Sequence, residues 1–233
     1  VLDYDEDRIH PKKSQRPIAA GRIGRGRAAV LAVVFGAASL ACAFALSSAF
    51  FIVAAVYFVL QVSYSIKLKH VVILDVFLVA SGFVLRVAAG GVVIHVQLSS
   101  WLLICTTLLA LFIAMSKRRH ELVLLEDDAS IHRPILKEYS AYLLDQMISV
   151  VTASTVIAYC LYTVSEDTIR KFGTSHLIYT TPFVLYGIFR YLYLVHKKGQ
   201  GGSPEELVLK DKPLAVTVFL WIATAVAIIY LVK

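Results

Sequence analysis

The sequence predicts an all-α polytopic membrane protein, and three observations predict it. Hydrophobic residues make up 58% of the 233 and charged ones only 17%, against about a quarter charged in soluble domains. Apolar runs near the roughly 20 residues needed to cross about 30 Å of hydrocarbon recur along nearly the whole chain, and mean hydropathy is +0.74. Lys and Arg are segregated: 18 of the 23 fall in four stretches that alternate with nearly uncharged ones.

Seven spans are expected, at about 28–46, 50–65, 71–93, 100–115, 146–164, 176–195 and 214–232. The second and fourth are short for the hydrocarbon thickness and must borrow interfacial residues. The four basic stretches are 1–27, 66–70, 116–145 and 196–213. The intervening segments 47–49, 94–99 and 165–175, with the C-terminus, carry Arg170, Lys171 and Lys233, while Arg86 and Arg190 lie within spans. Cytoplasmic loops accumulate Lys and Arg, so all four basic stretches are expected on the cytoplasmic face of a multi-pass protein. The whole of 1–233 reads as one membrane-embedded domain.

The net charge of +7 is then a topology signal. No basic stripe with interleaved aromatics is present, so nucleic-acid binding is not expected. Cys42, Cys105 and Cys160 each sit inside an apolar run with no paired spacing, and are expected to be small buried hydrophobes. No signal peptide opens the chain, and Val1 is an unusual initiator. An N-terminal portion is therefore expected to precede the sequence.

The chemistry lies in the charged constellations. The chain begins VLDYDEDRIHPKKSQRPIAAG. Asp3 and Asp7 are four residues apart, so on a helix their carboxylates share one face, from which Asp5 points away. Two oxygen-donor acids on one face suit Mg²⁺, which takes one or two carboxylates and completes its shell with water and phosphate oxygens; a solvated acidic helix end is the plain alternative. Pro11 and Pro17 break any helix after them, leaving Lys12, Lys13 and Arg16 on a turn beside the acids. Metal carboxylates next to guanidinium and ammonium groups make a clamp for diphosphate.

A second cluster, MSKRRHELVLLEDDASIHRPILKEYS, spans 115–140. Lys117, Arg118 and Glu121 fall within about one helical turn, followed by Glu126, Asp127, Asp128, Arg133, Lys137 and Tyr139. Mixed charge of this kind can also be a solvated loop. Between the clusters, Tyr64, Lys67 and Lys69 close a helix end, where snorkelling and phosphate contact are both open. Asp75 and Arg86 share the span LDVFLVASGFVLRVAAGG. At about 16 Å of rise they are too far apart to pair. Ionisable groups at membrane depth face polar cavities, so Asp75, near the cytoplasmic end, is expected to line the site. Gly82, Gly90 and Gly91 are expected to let helices approach closely.

DYDEDRIHPKKSQRPIAAG resembles the first signature of the UbiA-like intramembrane prenyltransferases, NDxxDxxxD followed by HPxKxxRPIAAG, with Asp3 and Asp7 as its second and third aspartates. The resemblance implies a UbiA-like helical bundle of nine spans, seven of them visible, and an Asn-Asp pair before Val1. YSIKLKHVVILDVFLVASGFVLRVAAGG, KRRHEL and FRYLYLVHKKGQGGSPEELVLKDKPL are similar to the decaprenyl-phosphate phosphoribosyltransferase branch. Where aromatic prenyltransferases carry a second aspartate-rich DxxxD motif, this chain has Lys117, Arg118 and Glu121, as that branch does.

What the resemblance implies is transfer of 5-phosphoribose from phosphoribosyl diphosphate to a polyprenyl phosphate at a bacterial inner membrane, with the site facing the cytoplasm. The product would be a lipid-linked pentose for cell-envelope glycan such as arabinogalactan. Asp3 and Asp7 would hold Mg²⁺. Lys12, Lys13 and Arg16 would contact phosphate, as would Lys117 and Arg118, with Glu121 orienting the ribose or these cations. Tyr64 and Lys69 would meet the acceptor phosphate. Two alternatives stand beside it: an aromatic-acceptor prenyltransferase using a prenyl diphosphate, and a membrane transporter or lipid-binding scaffold.

Overall fold

A computed structural model describes residues 3–9, 13–125, 134–199 and 204–231. Among them every regular element is helical. In chain order these are α1 (Tyr4–Ile9), α2 (Arg25–Leu46), α3 (Ser48–Ile66), α4 (Leu74–Val93), α5 (Ser100–Leu125), α6 (Ala141–Val164), α7 (Glu166–Phe172), α8 (Thr181–Lys197), α9 (Pro204–Lys210) and α10 (Lys212–Leu231). Short 3₁₀ turns lie at Lys13–Gln15, Leu68–His70, Pro134–Glu138 and His176–Thr180.

Six of these helices are long and apolar enough to cross a membrane: α2 to α6 and α10. The sixth expected span, 176–195, is divided between the His176–Thr180 turn and the 17-residue α8. Pro182 sits in the first turn of α8, where its missing N–H costs nothing. The tighter turn rises about 2 Å per residue, so turn and helix together still extend over roughly 35 Å. The fourth span also differs from its expected limits. Hydropathy sets its end at Met115, but α5 continues to Leu125 over 26 residues. Charge ends the apolar stretch, not the helix, because Lys, Arg, Glu and Leu are all good helix formers. The KRRHEL segment is thus helical.

The chain forms two compact units. The first comprises Val1–Gln97 with Leu125–Tyr139. Within it α3 is the middle helix, packed against α2 on one side and α4 on the other. Ser47 alone joins α2 to α3, in an extended conformation with its hydroxyl accepting from Phe50 N at 3.4 Å. Gly82 bears out its expected role, since a Cβ there would lie 3.0 Å from the Gln61 amide; Gly90 faces open space. Cys42, expected to be buried, is exposed on α2, because within this unit that helix is packed chiefly along its contact with α3.

The second unit comprises Leu98–Leu124 with Ser140–Lys233. Here α8 lies against α6 and α10. Ser140 and Ser165 cap α6 and α7 by accepting from Leu143 N and Thr168 N, and Gly173 closes α7 at φ 73°, a conformation glycine adopts without strain. Inside the unit the Trp221 indole donates to the Tyr159 hydroxyl at 2.8 Å, which in turn meets Thr180 Oγ1 at 2.6 Å. Bonds of this kind join helices without placing unmet polar groups in hydrocarbon.

Candidate active site

In the first unit Asp3 immediately precedes the short helix α1, on which Asp5 and Asp7 lie. Asp7 N donates to Asp3 O at 2.8 Å, the i to i−4 bond that puts both side chains on one face. Both carboxylates line a cavity of about 710 Å³ together with Tyr4, Arg16, Ile23 and Ser65. Asp5 points away and is 78% exposed, as the spacing requires. Arg16 Nη1 donates to Asp7 Oδ2 at 2.9 Å. Lys69 Nζ, from the Leu68–His70 turn, donates to Asp3 Oδ1 at 2.5 Å across 66 residues of sequence. Tyr4 carries the Arg25 guanidinium over its ring at 4.6 Å.

Four of the residues selected from sequence, Asp3, Asp7, Arg16 and Lys69, are thus brought together. Tyr64 stands at the end of α3, next to the cavity-lining Ser65. Lys12 lies outside the described residues, as does the side chain of Lys13, whose backbone starts the Lys13–Gln15 turn.

Asp75 sits elsewhere in this unit. It is fully buried in the first turn of α4. The Tyr139 hydroxyl donates to its Oδ1 at 2.7 Å and accepts from Ile73 N at 2.7 Å. The sequence carries no signal for this tie, since its partners are 64 and 66 residues apart.

The second unit holds the other cluster, on the C-terminal part of α5. Arg118 is buried, and its Nη1 donates to Glu121 Oε2 at 3.2 Å, three residues along the helix. Lys117 is exposed. Arg119, for which sequence spacing alone suggests no role, forms an ion pair with Asp145 of α6. The same carboxylate meets His196 Nε2 of α8 at 3.1 Å, while His196 Nδ1 faces Leu192 O at 3.0 Å. Arg190 grips both oxygens of Asp211 at 3.0 and 2.8 Å, and Asp211 Oδ1 also accepts from Leu214 N at 3.0 Å, capping α10. The Arg190 guanidinium holds the Asp211 carboxyl below the usual carboxylate range.

Among the described residues no three His, Cys, Asp or Glu side chains gather into a ligand cage. Asp3 and Asp7 offer a different donor set: two hard carboxylates facing one cavity. That set fits Mg²⁺, which keeps several coordination positions for water and substrate phosphate. It does not suit zinc, whose sites use three or four protein ligands.

The UbiA prenyltransferase family matches residues 1–207. The decaprenyl-phosphate phosphoribosyltransferase of Mycolicibacterium smegmatis is 35% identical over 235 residues, covering 98% of this chain and 73% of the relative. The enzyme of that name from Corynebacterium glutamicum is 35% identical over 233 residues, covering 98% of this chain and 69% of the relative. Among solved structures, a UbiA homolog from Archaeoglobus fulgidus bound to GPP and Mg²⁺ aligns with a TM-score of 0.71 at 21% identity, over 98% of this chain and 80% of that one. That likeness is one of fold.

Proposed function

The chain belongs to the UbiA prenyltransferase family, and we propose that within it the protein transfers 5-phosphoribose from phosphoribosyl diphosphate to a polyprenyl phosphate, releasing diphosphate. The observation that carries the reading is the grouping of Asp3, Asp7, Arg16 and Lys69 at one cavity. Acids that can hold a metal stand there beside cations that can hold phosphate. The names of the relatives support the choice of donor and acceptor.

In the reaction an oxygen of the lipid phosphate attacks C1 of the ribose as the C1–O bond to diphosphate breaks. Positive charge develops on the sugar and negative charge on the leaving group. Asp3 and Asp7 would hold Mg²⁺, which when bound would supply Lewis-acid neutralisation of that diphosphate. Arg16, with Lys12 and Lys13, contacts the donor phosphates. Lys69 and Tyr64 take the acceptor phosphate. Lys117 and Arg118 bind a further phosphate, either the donor's 5-phosphate or the acceptor's, and Glu121 holds Arg118 in one rotamer. Because Arg16, Lys69 and Arg118 are each held by a carboxylate before reaction, they stabilise the developing charge without reorganising. The acceptor arrives as an anion, so no strong general base is needed. The inner membrane, a site on the cytoplasmic face, one domain over 1–233 and a product destined for cell-envelope glycan complete the proposal.

The test is a donor assay on membranes containing the full-length protein. Labelled phosphoribosyl diphosphate plus polyprenyl phosphate is expected to give a labelled lipid in a Mg²⁺-dependent manner. Prenylation of an aromatic acid with no such lipid defeats the reading in favour of the aromatic-acceptor alternative. Solute flux without either product favours the transporter.

A further inference from the structure

Lys69 reaches Asp3 from a turn whose geometry is unusual. After the Leu68–His70 turn the chain passes Val71 and Val72 to Ile73, which adopts φ 67° and ψ −44° before α4 begins. Leu74 N donates to Val72 O at 2.7 Å, so Ile73 is the centre of a γ-turn of the positive-φ kind, which is rare and strained. A β-branched residue is especially disfavoured there. Strain of this sort persists only when surrounding contacts over-determine it.

The contacts that do so come from the Tyr139 hydroxyl. It accepts from Ile73 N and donates to Asp75 Oδ1, both at 2.7 Å. Tyr139 is 5% exposed and Asp75 fully buried. One hydroxyl therefore grips the strained residue and the first turn of α4 together, from a loop that itself packs on the Leu68–His70 turn. Two residues before Val71, Lys69 is mostly buried and bonded to Asp3 Oδ1.

We propose that Tyr139 is a positioning residue: its hydroxyl, held between the buried Asp75 carboxylate and the Ile73 amide, keeps the 67–73 turn in the strained form that presents Lys69 beside Asp3. The inference rests on the reading of Asp3 as a ligand of the Mg²⁺–diphosphate site, its carboxylate oriented by the Lys69 ammonium, so loss of the turn geometry is read in diphosphate binding through Asp3. It gives Asp75 a part different from the direct lining role expected from sequence, since its carboxylate acts through Tyr139. It also explains why an isoleucine is tolerated at a left-handed position.

Tyr139→Phe removes the hydroxyl and keeps the ring. In the full-length protein in nanodiscs, it is expected to weaken Mg²⁺-dependent binding of inorganic diphosphate about 10-fold by calorimetry. KM for phosphoribosyl diphosphate should rise by a similar factor, with kcat changed less than about 2-fold. Adding Ile73→Gly to Tyr139→Phe is expected to recover at least about half of the lost affinity, because glycine takes positive φ without help. A merely structural tyrosine would show no such recovery. Ile73→Pro, with Tyr139 intact, cannot reach φ 67° and is expected to weaken binding at least as much; it carries the test if Tyr139→Phe does not insert. Wild-type affinity in Tyr139→Phe or Ile73→Pro, or no recovery in the double variant, overturns the proposal. Diphosphate binding needs no lipid acceptor. A wild-type protein that binds diphosphate but forms no phosphoribosyl lipid therefore defeats the functional reading, and leaves this inference to be decided by the binding series. A wild type that binds no diphosphate overturns both.

Discussion

Aspartates at the start of the chain and aspartates in the second unit are used in opposite ways. Among the described residues Asp3 and Asp7 each meet one cation through one oxygen, and both line a cavity. Asp145 and Asp211 are closed on by several donors: Arg119 and His196 in one case, both arms of Arg190 and the Leu214 amide in the other. A carboxylate whose lone pairs are filled by protein donors fastens helices together. One that keeps acceptor capacity toward a cavity can take a metal or orient a substrate. The two sets should therefore separate cleanly when mutated, one in turnover and the other in stability.

The largest effect is expected at the cavity. Asp3→Asn or Asp7→Asn should lower Mg²⁺-dependent kcat at least about 100-fold, the scale of several kcal/mol of lost charge stabilisation. Tm in detergent should stay within about 2 °C, since neither acid ties one membrane-length helix to another. A large Tm loss with retained turnover would erase the contrast.

On α5, Arg118→Gln is expected to reduce kcat/KM by about 10- to 100-fold and to lower Tm as well, since Glu121 then keeps a poorly solvated charge without its guanidinium. Lys117→Gln serves as the internal comparison. Lys117 is exposed and makes no hydrogen bond or ion pair among the described residues, so a KM increase of about 10-fold with no Tm change is expected. Steady-state kinetics and a melting curve on both variants decide the matter.

Smaller effects belong to the ties. Asp145→Asn should lower Tm by about 2–4 °C while kcat per folded molecule stays within about 3-fold. A loss of turnover as deep as that of Asp3→Asn would move Asp145 into the reacting set.

Asp211 gives the most delicate measurement. Its carboxyl is held below the usual range by Arg190, so the folded state favours the ionised form. The tie then stabilises fully above the unfolded carboxylate value of about 3.9 and is lost as pH falls through the lower folded value. The Tm difference between wild type and Asp211→Asn should be constant near neutrality and shrink below about pH 4. A gap that widens on acidification contradicts the assignment.

The sequence by itself determined the membrane class, the positions of the apolar runs and the shared face of Asp3 and Asp7. Those are local quantities: transfer of single side chains into hydrocarbon, and the 3.6-residue repeat that aligns i with i+4. The same locality explains its errors. Hydropathy marks where apolar residues stop, so it sets the end of α5 at Met115 when the helix runs to Leu125, and it hides the 3₁₀ turn before Pro182 in the sixth span. Only the tertiary structure decided that Lys69 meets Asp3, that Tyr139 holds Asp75 and Ile73, and that Arg119 and His196 close on Asp145. These partners are 26 to 66 residues apart. No propensity or spacing rule relates residues at that distance; the packing of one helix or turn against another does.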